Sequence, residues 1–127
     1  MSSDARRKPT VTIPAGDPPV ELVIEDLEGG TGAEAVAGTR PLMHYVGVAW
    51  STGREFDASW DRRETFDFRL GAGEVIRGWD LGVAGMKVGG RRRLTIPPDL
   101  GYGRAGAGGV IKGNETLVFV VDLVDVW

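Results

Sequence analysis

The chain has 127 residues with a net charge of −3, 42% hydrophobic and 26% charged residues, and no cysteine. This composition fits one soluble domain with one core. It excludes a disulfide scaffold, a thiolate nucleophile and a cysteine-based zinc site, and the negative charge disfavours nucleic acid as a partner.

Residues 1–18 are polar and proline-containing, with a basic Arg6-Arg7-Lys8. They are expected to form a flexible tail ahead of a domain over 19–127, with Val11-Thr12-Ile13 able to add a short edge strand. The opening Met-Ser-Ser-Asp-Ala-Arg-Arg-Lys is followed by no apolar stretch, and no run approaches membrane-spanning length. A cytoplasmic protein with no membrane association is expected. The 20 glycines, more than twice the average share of about 7%, are spread along the chain and point to many turns and close backbone approaches.

Val20, Leu22 and Ile24 alternate as a first strand, which Gly29-Gly30-Thr31-Gly32 ends. Leu42 to Trp50 is apolar on both faces, as in a covered central strand. Ser51-Thr52-Gly53 turns the chain and Arg54 to Ala58 returns. Thr65 to Leu70 alternates again, with Phe66, Phe68 and Leu70 on one face. Only Glu74 to Met86 reads as helix, through the stripe Ile76, Trp79, Val83 and Met86. Gly78, Gly82 and Gly85 each weaken it by about 1 kcal/mol relative to Ala, so packing must hold it. Arg91 to Ile96 is a further strand closed by Pro97-Pro98, a glycine-rich loop runs from Asp99 to Asn114, and Glu115 to Trp127 is a long buried strand. The expected class is α+β: five or six strands in a twisted antiparallel sheet around one short helix.

Several features are decoys. Gly101-Tyr-Gly103-Arg-Ala-Gly106 has the glycine spacing of a dinucleotide fingerprint but lacks the flanking strand and helix that the motif needs. Arg91-Arg92-Arg93 alternates faces in a strand and so makes no basic patch; Arg92 falls on the face of Leu94 and Ile96, where an acid would have to meet it. His44, the one histidine, reads as structural, and no metal site is expected. Asn114-Glu-Thr116 is a glycosylation sequon without a secretion signal. No carboxylate pair is arranged for acid–base work. Phe56, Phe66, Trp79, Tyr102 and Phe119 belong either to an aromatic core or to the lining of an apolar site, and composition does not choose between them.

Ordered strings narrow the choice. Glu74-Val-Ile-Arg-Gly-Trp79, Gly85-Met-Lys-Val-Gly89, Leu94-Thr-Ile-Pro-Pro-Asp99, Gly101-Tyr-Gly103 and Glu115-Thr-Leu-Val-Phe119 resemble the signature of FKBP-type prolyl isomerases. His44-Tyr45-Val-Gly47 and Glu55-Phe56-Asp57-Ala-Ser59 extend the likeness, which runs from about residue 20 to the end. The resemblance implies a sheet curled around a short helix with the pocket between them. It implies that Trp79 is the floor under a substrate proline ring, that Tyr45, Phe56, Phe66, Val75, Ile76 and Phe119 are walls, and that Asp57 and Tyr102 are polar groups at the edge. Of these, Asp57, Tyr102, Phe56, Trp79 and Phe119 are the expected catalytic set. The Ile76 amide would donate to a bound carbonyl and Ile111 would cover one side. Asp57 is expected to orient Tyr45 or its neighbours rather than to transfer protons.

The resemblance further implies proline-containing polypeptide clients, macrolide ligands of the rapamycin type, no cofactor and a monomeric state. Three departures stand out: Ala107 where relatives often carry a histidine or aromatic, Lys112-Gly113 in place of a frequent Pro-Pro, and Thr65 in place of a frequent proline. They are expected on the rim, where they bear on substrate preference and macrolide affinity and leave the floor intact. A pocket retained only for binding a partner is the alternative, weakened by the complete aromatic set. The short loop from Arg104 to Asn114 leaves no room for an inserted chaperone flap.

Overall fold

The most continuously apolar run of the chain becomes the strand with covered neighbours on both sides. In the computed structural model, which describes residues 7–127, the elements are β1 (Val23–Glu28), β2 (Pro41–Ala49), β3 (Glu55–Ala58), α1 (Ser59–Arg62), β4 (Phe66–Asp67), α2 (Arg77–Gly82), β5 (Arg91–Ile96), a 3-10 turn at Pro98–Leu100, and β6 (Leu117–Val126). They form a six-stranded antiparallel sheet in the order β1-β5-β6-β2-β3, with β4 pairing β2 as well. β6 lies between β5 and β2, so Val118, Val120 and Val121 are buried on its two faces, the pattern expected of a doubly covered strand, and only its end emerges, with Val124 41% exposed.

α2 packs on one face of the sheet. Trp79 and Val83 turn inward to Leu94, Ile96, Leu117 and Phe119, the centre of the larger core. The helix is shorter than the Glu74 to Met86 span that its apolar stripe suggested. Gly85 sits at φ +90, a conformation that ends a helix, and residues 71–76 form a loop. The glycines that weaken the helix are what let it approach the sheet. A Cβ on Gly78 would lie 2.5 Å from Ile96 Cγ2, and one on Gly82 would lie 2.7 Å from Leu94 Cδ2. The buried Arg92 meets Asp26, as its face required, through Nε at 2.7 Å, and its Nη1 also donates to the carbonyls of Gly82 (2.8 Å) and Ala84 (3.0 Å), closing the end of α2.

The opposite face carries a smaller apolar cluster, Val46, Val48 and Ala58, with Val11, Ile13 and Trp60 packed against it. Residues 7–14 cross this face without regular secondary structure, so the edge strand at Val11-Thr12-Ile13 does not form. The segment touches the sheet through polar groups. Lys8 Nζ lies 2.9 Å from Glu55 and 2.9 Å from Asp61, while Arg91 and Arg93 donate to the carbonyls of Arg7 and Thr12, each at 2.8 Å. Arg91 also pairs with the buried Asp122 at 2.9 Å. The three consecutive arginines are therefore each engaged within the fold.

Three local expectations need correction. α1 is a second helical turn, one that shows no periodicity in its residues. One turn is too short to show a period; it is held by Ser59 Oγ, which accepts the Tyr45 N–H at 2.7 Å, and by Trp60, stacked on His44 with centroids 4.2 Å apart. β4 is two residues rather than the whole run from Thr65 to Leu70: Phe68 and Leu70 are buried as their alternation required, but the chain leaves β2 so that Leu70 N–H reaches the Thr39 carbonyl. β1 begins at Val23, and Val20 is 87% exposed.

Candidate active site

The site forms where β2, β3, β6 and the start of α2 face one another. Antiparallel register sets Gly47 of β2 opposite Phe119 of β6 and opposite Asp57 of β3. Because side chains alternate, Tyr45 and Gly47 share the inner face. A Cβ on Gly47 would stand 2.6 Å from both Phe119 Cε1 and Phe56 Cζ. The glycine is a gap in the strand's face, and two aromatic rings fill it.

These rings and those of Tyr45 and Phe66 stand around Trp79, which is 5% exposed. Centroid distances to Trp79 are 5.0 Å for Tyr45, 5.1 Å for Phe119 and 5.7 Å for Phe66, with planes inclined at 73°, 82° and 68°. Edge-to-face geometry places the positive ring edge against the negative face, a favourable arrangement that also fixes the rings relative to each other. Phe56 meets Phe119 at 5.5 Å and 88°. Together they bound a cavity of about 500 Å³, completed by Asp57, Tyr102 and residues 73–76.

Polar groups sit at its edge. Tyr45 Oη donates to Asp57 Oδ2 at 2.6 Å, and Arg62 reaches both members, with Nη1 at 2.5 Å from Asp57 Oδ1 and Nη2 at 2.8 Å from Tyr45 Oη. Burial alone would push the Asp57 carboxyl up, but the hydrogen bonds from Tyr45 and Arg62 outweigh it and hold the group below the ordinary carboxylate value. Asp57 is therefore ionised at neutral pH with both oxygens engaged, a poor proton donor and a good anchor. Burial, reinforced by the bond to Asp57, pushes the Tyr45 hydroxyl up to about 12. Tyr102, 40% exposed at the mouth, is also pushed up by burial.

The backbone supplies one further donor. The Ile76 carbonyl accepts from the N–H groups of Trp79 (3.0 Å) and Asp80 (3.3 Å), whereas the Ile76 N–H has no partner among the described residues. Ile76 lines the cavity, so this is an unused donor at its wall.

Of the ten residues singled out from sequence, nine line this cavity: Tyr45, Phe56, Asp57, Phe66, Val75, Ile76, Trp79, Tyr102 and Phe119. Ile111 does not; it is 5% exposed, packed into the larger core, and bridged to Ala107. Thr65, Ala107, Lys112 and Gly113 also lie off the lining. Gly73 and Glu74 belong to it but were not singled out, although Glu74 opens the string that carries Trp79. Arg62 was missed because its only link to the site is through Asp57 and Tyr45, by way of a helical turn with no sequence signal.

Comparison with known proteins agrees with this geometry. The model of the FKBP-type peptidyl-prolyl cis-trans isomerase family matches residues 32–124. An FK506-binding protein of Streptomyces anulatus is 59% identical over 120 residues, covering 94% of this chain and 97% of that one. A probable FK506-binding protein of Corynebacterium glutamicum is 51% identical over 117 residues, covering 92% and 97%. Among solved structures, AtFKBP13 superposes with a TM-score of 0.74 at 41% identity, covering 82% of this chain and 91% of that one. FkpA from Escherichia coli gives 0.75 at 43% identity, covering 83% of this chain but 47% of that longer one.

A six-stranded antiparallel sheet closed over a short helix, with an aromatic cavity between them, defines a prolyl isomerase of the FKBP class. The chain belongs to the FKBP-type peptidyl-prolyl cis-trans isomerase family and is an enzyme that accelerates rotation about X-Pro peptide bonds.

Proposed function

We propose that the cavity over Trp79 is where this isomerisation takes place, with the proline ring of the client on the Trp79 indole. Rotation about a peptide bond meets a barrier of about 18–20 kcal/mol because the planar amide is resonance-stabilised. In X-Pro the cis and trans forms are close in energy yet exchange over about tens to hundreds of seconds. At the barrier the twisted amide loses its charge-separated resonance form. Phe56, Phe66, Phe119 and Tyr45 strip water from the client carbonyl and so favour the less polar twisted amide. The Ile76 N–H, a fixed donor, donates to a neighbouring client carbonyl, Val75 completes the wall, and Tyr102 closes the mouth. Binding the twisted form better than either planar form lowers the barrier without a covalent step. Asp57 holds Tyr45 in place and transfers no proton.

The observation that carries this reading is the set of rings standing edge-on around Trp79 beside the unpaired Ile76 N–H. An apolar wall suits a hydrophobic residue before proline, and the same concavity suits a macrolide of the rapamycin type. We further propose that residues 19–127 suffice for activity, with 1–18 separable from it, and that the protein works as a cytoplasmic monomer on flexible proline-containing polypeptides. Among the described residues no helix is long and apolar enough to cross a membrane. The test is cis-to-trans exchange in a Leu-Pro-Phe peptide with and without rapamycin. Acceleration abolished by the macrolide, and lowered about tenfold by Trp79→Leu, is the expected result. Full activity in Trp79→Leu would place the reaction elsewhere.

A further inference from the structure

The segment from Gly71 to Ile76 has no regular secondary structure, yet its last four residues line the cavity and its end presents the free Ile76 N–H. β4 stops at Asp67 and α2 begins at Arg77, so neither element fixes it. Gly71 and Gly73 stand at φ +83 and +74, and glycine adopts other conformations at little cost, so an untethered segment would wander.

Most of its tethers converge on one residue of α2, with the Trp79 N–H adding a bond of 3.0 Å to the Ile76 carbonyl. Asp80 Oδ1 accepts the Gly71 N–H at 2.9 Å and Oδ2 accepts the Gly73 N–H at 3.0 Å. The backbone N–H of the same residue donates to the Ile76 carbonyl at 3.3 Å. Asp80 thus grips the segment at its start with its carboxylate and at its end with its amide. A further restraint, Glu74 Oε1 accepting the Arg69 N–H at 3.0 Å, ties the middle of the segment back to the chain just before it. Asp80 itself does not line the cavity.

We propose that Asp80 is a positioning residue for the isomerisation: its carboxylate fixes the 71–76 segment so that Val75 and the Ile76 N–H are in place before a client arrives. The inference rests on the cavity reading given above. Without the clamp, each binding event has to order the segment, and that ordering free energy is lost from affinity. The effect falls on KM because the segment, once ordered around the client, is the same in both proteins.

Full-length native protein, Asp80→Ala and Asp80→Asn are compared by peptide isomerisation with kcat and KM resolved, and by NMR amide exchange. Asp80→Ala is expected to raise KM about tenfold and leave kcat within about twofold. Exchange at Gly71 and Gly73 should speed by about tenfold or more while the β6 amides keep their protection. Asp80→Asn, with one acceptor oxygen left, should fall between. An unchanged KM with exchange at Gly71 and Gly73 accelerated would overturn the proposal, as would unchanged exchange at both glycines. Loss of protection through β6 together with the segment would mark Asp80 as a stability residue only. If Asp80→Ala does not fold, Asp80→Asn is judged by the same criteria. Trp79→Leu, run alongside, separates the two readings: full activity there removes the cavity reading, while the exchange data still decide whether Asp80 clamps the segment.

Discussion

The hydroxyl of Tyr45, on β2, donates to Asp57 Oδ2, on β3, at 2.6 Å, and Arg62 from α1 bonds to both. The pair joins a ring of the cavity wall to the strand beside it. Phe56, the neighbour of Asp57 in sequence, lies against Phe119, so the same contact stiffens two walls at once.

Removing either half of the contact should therefore loosen the cavity more than it loosens the fold. Tyr45→Phe and Asp57→Asn are each expected to lower kcat/KM about three- to tenfold. The double variant should lose less than the product of the two, with a coupling of about 0.5–3 kcal/mol. Independent, additive losses in the isomerisation assay would show that the two residues act separately. Because the Asp57 side chain is 38% exposed, the stability cost of each change should stay near the low end, about 1 kcal/mol.

The pH dependence follows from three groups. Burial lowers His44 from its ordinary 6.5, so its contribution to stability is present above 6.5 and is lost as the pH falls through the lower folded value. Hydrogen bonds from Tyr45 and Arg62 hold Asp57 below its ordinary 3.8, so a second loss comes only in stronger acid. Tyr45 is raised from 10.0 to about 12, so its contribution is present below 10.0 and is lost as the pH rises toward about 12. Urea midpoints against pH should show a plateau between 6.5 and 10.0. His44→Gln should remove the shoulder just below that plateau, and Tyr45→Phe should shrink the one above it, to which the raised Tyr102 also contributes. A midpoint that keeps rising through acid would contradict the signs given.

Two glycines offer a contrast. A methyl at Gly78 would press on Ile96 and lift α2 from the sheet, at a cost of about 1–3 kcal/mol. That outweighs the gain of up to about 1 kcal/mol in helix propensity. Gly78→Ala should lower the urea midpoint, and a higher midpoint would mean that the helix shifts freely. Gly47→Ala would instead displace the rings of Phe56 and Phe119. It should reduce kcat/KM by at least about tenfold, a larger proportional loss than the change in stability accounts for.

Deleting residues 1–18 tests the N-terminal segment. The apolar contacts of its described residues, Val11 and Ile13, lie on the face of the sheet away from the cavity, against Val46, Val48 and Ala58. Activity should stay within about twofold, while the urea midpoint drops by the equivalent of about 1–3 kcal/mol, since Val11 and Ile13 are only half buried and the Lys8 ion pairs are exposed. A large fall in kcat/KM without loss of stability would tie the segment to catalysis.

Much of this protein was determined by sequence alone. The alternation of Phe68 and Leu70, the double-faced run of β6, the strand 91–96 and the inward stripe of Trp79 and Val83 each follow from the period of an element, which is a local property. The ordered strings from Glu74 to Phe119 carried the family and most of the cavity wall. Tertiary structure decided what local period does not encode. The close approach of α2 depends on Leu94 and Ile96 lying opposite Gly82 and Gly78. Burial of Ile111 in the larger core depends on how the 104–114 loop folds back on itself through Ala107. The links of Arg62 to Tyr45 and of Asp80 to Gly71 and Gly73 are hydrogen bonds between polar groups that lie outside any apolar pattern. Apolar burial is set by which face a residue takes, and the chain records that in its spacing. A hydrogen bond needs its partner within about 3 Å at the right angle, and only the packed sheet, with its strands in register, brings such partners together.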